Sequence, residues 1–302
     1  MIEQGALFDS RTYKGSKPQL FNVTAPTADQ TVFNTLPAYH AYLSSGKYSQ
    51  YTPDDYTADI KRFGQFTGSK VLKDITKGDI RQWIGQLKQT MPPKTLNRKV
   101  SAIGNYFRWL MSEHVLQENP AASIRAEKVH APLPDLLYEE EIERLLKISS
   151  ENPRTYLLVL LFLETGMKKS ELADLQVGDF DFSNKYQPEV WVKHSGKLVY
   201  RDRKLRLSGQ VHEVFKDYIE QYHATEQLFP YTQRFISKIL AEAGRRAEIR
   251  KQVTASILRD MFVVRTVKNG GRLEDAFEKI GLSKTSYDDA RKKYGRLTRS
   301  AL

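Results

Sequence analysis

The chain has 302 residues, 40% of them apolar, which is enough to bury two cores. Forty-seven Lys and Arg against 36 Asp and Glu leave a formal charge of +11, a balance that favours a polyanionic partner. Cysteine is absent, so disulfides, thiolate metal sites and a cysteine nucleophile are excluded. His194 and His212 have no partners at ligand spacing, so no metal site is expected. The first ten residues lack a basic start followed by an apolar core, and no apolar run reaches membrane-spanning length, so a cytoplasmic protein is expected.

Residues 1 to about 33 are polar, without a sustained period, and read as a tail or arm. Four helical stretches follow from Asn34 to about Ile124. The first carries Leu36, Tyr39, Tyr42 and Leu43; the second opens at Thr52-Pro53-Asp54-Asp55, with Pro at the first helical position and acids against the dipole. Thr76 is suited to cap the third, whose Ile80, Trp83, Ile84 and Leu87 share a face. In the fourth, Leu96, Val100, Ile103, Phe107 and Leu110 recur at three and four, leaving Lys94, Arg98, Lys99 and Arg108 for other faces.

A linker with Pro132 and Pro134 is expected over 123–136, then a helix from Tyr138 to Ile148 with an acidic start. Leu157 to Leu163 is an apolar run of seven, read as a helix buried on nearly every side. Thr165-Gly166 breaks it, Met167 to Leu175 restarts a short helix, and Phe180 and Phe182 alternate as a strand does. Val190 to Leu207 reads as a hairpin around His194-Ser195-Gly196-Lys197, with six Lys or Arg against one acid between Lys193 and Arg206. Helices are then expected over Gln210–Tyr222, Thr232–Ala243, Met261–Val267 and Ser286–Leu297, with a basic run at Arg245, Arg246, Arg250 and Lys251.

Thr165-Gly166-Met167-Lys168-Lys169-Ser170-Glu171-Leu172, followed by Leu175 and a strand, resembles the first signature box of the tyrosine recombinases, the phage integrase family. That box usually holds a catalytic Arg where this chain has Lys168. Ser256-Ile257-Leu258-Arg259-Asp260 resembles the second box, with Arg259 on its catalytic Arg and Ser256 in place of its His. Phe277 to Leu282 stands where a third box is expected, with Leu282 in place of a second His; no histidine follows His223. The resemblance implies a mostly helical protein with a small antiparallel sheet: a SAM-like core-binding domain over 34–122, ending near Glu118-Asn119-Pro120, and a catalytic domain over 137–302, together wrapping a duplex.

The resemblance also assigns roles. Arg259 would hold two phosphate oxygens in its fork of donors, Lys168 would supply charge without that fork, and Lys197, or else Lys193, would protonate the leaving hydroxyl. The nucleophilic Tyr usually falls where Arg291 stands; Tyr294, one helical turn later, is the candidate, with a packing or phosphate-contacting tyrosine as the other reading. No metal or nucleotide cofactor is implied. Loss of a positioned acid or base lowers a rate by about 10² to 10⁴, whereas binding rests on many cations.

The leading expectation is therefore a duplex-DNA-binding protein of this type, impaired in strand cleavage and open to self-association on DNA. Its phosphate contacts would come from Lys94, Arg98, Lys99, Lys193, Lys197, Arg201, Arg203, Arg245, Arg246, Arg250, Lys251 and Arg259. The alternatives are an active recombinase or integrase using Tyr294, and an interaction scaffold without DNA binding.

Overall fold

A computed structural model describes residues 25–46, 48, 52–127, 132–184, 186–193 and 202–300. The chain divides into two compact units, Met1–His130 and Ala131–Leu302. Mostly helical with one small antiparallel sheet, it has the fold class that the sequence leads one to expect.

In the first unit, α1 (Val32–Ser45), α2 (Thr52–Thr67), α3 (Lys77–Lys88) and α4 (Pro93–Ser112) share a core built on Tyr39, Phe63, Trp83, Tyr106 and Trp109. The α1 helix starts at Val32 rather than Asn34, because Thr31 donates both its N–H and its hydroxyl to Asn34 Oδ1. Val32 is fully buried, so the expected tail gives way to ordered structure before residue 33. Thr76 caps α3 by accepting from the Asp79 N–H.

Lys99 is placed differently from its expected outer face. It is fully buried, and its ammonium lies 2.5 Å from Asp59 Oδ1 on α2. Arg98 approaches the other oxygen of the same carboxylate at 2.7 Å. The cause is spacing: Leu96, Lys99, Ile103, Tyr106 and Leu110 recur at three and four, so Lys99 lies on the apolar stripe and needs a buried counter-charge.

The second unit is organised around α6 (Pro153–Thr165), whose residues Leu157 to Leu163 are all buried. Around it pack α5 (Glu139–Ser149), α8 (Gly209–Tyr222), α9 (Gln233–Arg246) and α10 (Ala255–Lys268). Each fully buried Leu, Val or Phe is worth about 1.5–3 kcal/mol, so this run is the main apolar anchor of the unit. The short α7 (Lys169–Ala173) leads through a 3-10 turn to β1 (Phe180–Asp181), which pairs with β2 (Glu189–Val192), itself paired with β3 (Arg203–Arg206). Val190 and Leu205 face each other across the ladder and point inward. Two further helices, α11 (Leu273–Lys279) and α12 (Tyr287–Ser300), close a satellite core with Phe262, Val263, Phe277, Tyr294 and Leu297.

Gly166 ends α6 in the left-handed region at φ 58°. A Cβ there would lie 2.5 Å from Phe262 Cδ1 and 2.7 Å from Ile280 Cγ2. Gly166→Ala should therefore cost about 1–2 kcal/mol in backbone strain and about 1–3 kcal/mol in overpacking. Urea unfolding reads this directly, and a variant as stable as the parent would refute it.

Candidate active site

The turn after α6 and the start of α10 meet at one cavity of about 440 Å³. Lys168, Lys169, Ser237, Thr254, Ser256 and Arg259 all line it. Lys168 is the N-cap of α7, placed by its own N–H, which donates to Glu171 Oε2 at 2.7 Å. Lys169 donates to Ser237 Oγ at 2.9 Å. Thr254 caps α10 through the Ile257 N–H, which presents Ser256 and Arg259 one turn apart on the first part of the helix. Lys168, distant in sequence from Ser256 and Arg259, thus shares one polar hollow with them.

Arg259 is oriented by two backbone acceptors, the carbonyls of Gly166 and Ile280, the second at 2.8 Å. Burial lowers its proton affinity against the attraction of Glu171, Tyr294 and Asp260, yet an arginine guanidinium stays charged at neutral pH. Two of its five N–H groups are used on these carbonyls, leaving donors for an anion.

Behind this arginine, Tyr294 of α12 donates to Asp260 Oδ1 at 2.7 Å. Lys293 meets the same carboxylate at 2.7 and 2.8 Å, one contact to each oxygen. Tyr294 is only 5% exposed and packs on Phe277, with ring centroids 5.8 Å apart. Burial first, then the Asp260 charge, push its phenol well above the usual range. Tyr294 therefore sits against the residue next to Arg259.

A second arginine turns inward at the same place. Arg203 on β3 makes a forked contact to both oxygens of Glu171, at 3.1 and 2.9 Å, and donates from Nε to the Lys279 carbonyl at 2.6 Å. Burial would raise the Glu171 carboxyl, but the Arg203 donors and charge outweigh it and hold it below the ordinary value. Arg203 is thus a brace between β3, α7 and the end of α11, not part of an outward basic row. Strand alternation carried the signal: Arg203 shares a face with buried Leu205, while Lys204 and Arg206 share the exposed one. Glu171 and Asp260 were legible as box residues, but their partners were not.

On the outer face of the sheet, Trp191 is 45% exposed and paired across the ladder with Lys204. The ammonium groups of Lys193 and Lys204 lie 5.6 and 5.9 Å from its ring centroid. Lys193 also meets Asp179 at 2.5 Å. Lys94, Arg245, Arg246 and Arg250 are exposed, with Arg245 on Glu242 and Arg246 on Glu151. Lys251 is mostly covered, bonded to the Leu136 carbonyl and to Glu141 and lying over the Tyr138 ring. Buried Lys99 is withdrawn from any surface track, and Lys197 and Arg201 lie outside the described residues. Among the described residues, no group of three or more His, Asp or Glu is placed to hold a metal ion, and no helix is long and apolar enough to cross a membrane.

Residues 36–114 match the model of the phage integrase N-terminal SAM-like domain, and residues 135–286 match that of the phage integrase family. A tyrosine recombinase of Pseudothermotoga lettingae is 28% identical over 252 residues, covering 79% of this chain and 85% of its own. Tyrosine recombinase XerC of Bacillus pumilus is 27% identical, covering 81% and 87%. Among solved structures, a lambda integrase tetramer bound to a Holliday junction superposes with a TM-score of 0.71 at 18% identity, covering 89% of this chain and 79% of that one.

Proposed function

The chain belongs to the phage integrase family, and on that premise we propose that it is a site-specific recombinase that cuts and rejoins duplex DNA through a 3′-phosphotyrosine on Tyr294. One observation carries the reading: Lys168, Ser256 and Arg259 share a cavity, and the Tyr294 hydroxyl is bonded to the residue that follows Arg259. The relatives named as tyrosine recombinases, aligned along about four-fifths of this chain, support it.

In this reading Arg259 and Lys168 hold the non-bridging oxygens of the scissile phosphate. The Tyr294 oxygen attacks phosphorus, the P–O5′ bond breaks, and Lys197 protonates the leaving oxygen. The new phosphodiester keeps the energy of the broken one, so rejoining needs no nucleotide or metal. Residues 34–122 act as the core-binding domain, 123–136 as linker and 137–302 as the catalytic domain. Exposed Lys94, Lys193, Arg245, Arg246 and Arg250 meet phosphates without selecting sequence. Several copies act together on the DNA, as in the tetramer of the lambda integrase structure.

A second reading keeps duplex binding and loses cleavage. Ser256 and Leu282 at the two histidine positions, and the depth of Tyr294, favour it. A pool of duplexes with randomised sequence and a nick that lets the cut fragment diffuse away separates the two. The first reading expects an SDS-resistant protein–DNA adduct that peptide mass spectrometry places on Tyr294. Binding without adduct would leave the second; its log–log salt slope should be about −0.9 per phosphate contact.

A further inference from the structure

We propose that Asp260 is the base that takes the proton from Tyr294, an assignment that rests on the recombinase reading above. Strand cleavage by a phenol needs its proton removed as the oxygen–phosphorus bond forms. No histidine follows His223, and Ser256 and Leu282 stand at the two positions where one was expected, so no imidazole of the second or third box is available. The ionisable groups lining the cavity are Lys168, Lys169 and Arg259, all cations that donate rather than accept. Glu171 is committed to the forked contact with Arg203.

Asp260 differs from all of these in position. Its Oδ1 accepts from the Tyr294 hydroxyl at 2.7 Å, within the distance at which a proton is handed over. The carboxylate is 3% exposed, so water competes little for the phenol proton. Lys293 holds both its oxygens and is the positioning residue, fixing the carboxylate while leaving Oδ1 bonded to the phenol. Because Asp260 follows Arg259 on α10, the groups for phosphate and proton are one residue apart.

The step balances without a further reagent. The Tyr294 O–H bond breaks and its proton passes to Asp260 Oδ1; the phenolic oxygen bonds to phosphorus; the P–O5′ bond breaks and its electrons leave with O5′, protonated by Lys197. On rejoining, the O5′ hydroxyl gives its proton back to Lys197 and attacks phosphorus, the bond from phosphorus to the Tyr294 oxygen breaks, and that oxygen recovers the proton from Asp260.

The test uses the full chain and the nicked duplex pool, following the rate of adduct formation at saturating protein. Asp260→Asn keeps the shape and removes the base, and should slow the adduct by about 10² to 10⁴ with duplex affinity retained. Should Asn unfold the unit, Asp260→Ser gives the same reading, since its hydroxyl accepts a hydrogen bond but is no base at neutral pH. Incorporating 3,5-difluorotyrosine at 294, whose phenol releases its proton more readily, should recover on the order of tenfold or more of that loss. A variant that cleaves at the parental rate or faster, or a loss that the fluorinated phenol leaves untouched, would overturn the assignment. An adduct that persists in Tyr294→Phe would remove Tyr294 as nucleophile and this inference with it; none from the parent chain would remove the recombinase reading as well.

Discussion

Tyr294→Phe is expected to abolish the covalent protein–DNA adduct while leaving duplex affinity within about threefold, because affinity rests on distributed phosphate contacts. The substitution deletes one oxygen and little else. The phenyl ring keeps its place beside Phe277, and Asp260 keeps both contacts from Lys293. The lost hydrogen bond to a buried carboxylate should cost about 1.5–3 kcal/mol of stability, and urea unfolding of the same preparation separates loss of adduct from loss of fold. An adduct from the variant would point to another nucleophile. Tyr287, packed edge-on against Phe277 at 5.1 Å, would be the next candidate.

Arg259→Lys should lower the rate of adduct formation by about 10² to 10³, the usual loss when one donor to the developing charge is removed. Lysine keeps the charge but cannot grip two phosphate oxygens at once. Arg259 also satisfies the carbonyls of Gly166 and Ile280, which tie the turn after α6 to the end of α11. Leaving one of these buried acceptors unpaired should cost about 1–3 kcal/mol. Cleavage and unfolding therefore need to be measured side by side on the same preparation. Parental cleavage combined with reduced stability would mean that Arg259 braces the turn and does not hold phosphate.

The sequence revealed what short-range pattern controls and missed what depends on a partner far along the chain. The buried helix α6 was legible because seven consecutive apolar residues are too few to span a bilayer and are most stable inside a core. The cap at Thr76 follows from a hydroxyl set before an apolar-periodic stretch, whereas α10 starts at Ala255, six residues before the expected Met261, because Thr254 caps it. The inward turn of Arg203 was missed because six cations on one hairpin read as a charged face, although the two-residue period separates Arg203 from Lys204 and Arg206. Lys99 was missed for a similar reason: its place on the stripe of α4 is visible, but only Asp59, forty residues earlier, makes a buried ammonium tolerable. The contact of Tyr294 with Asp260 joins α12 to α10 across 34 residues, and no local pattern reports it.

The chain has three tryptophans. Trp83 and Trp109 are each 3% exposed inside the first unit, whereas Trp191 lies open on the sheet between two lysines. Collisional quenching by iodide, drawn in by those ammonium groups, will therefore single out the emission of Trp191. The protein thus carries an intrinsic optical probe of one face of its second unit, and whatever comes to lie on that face can be followed without attaching a dye.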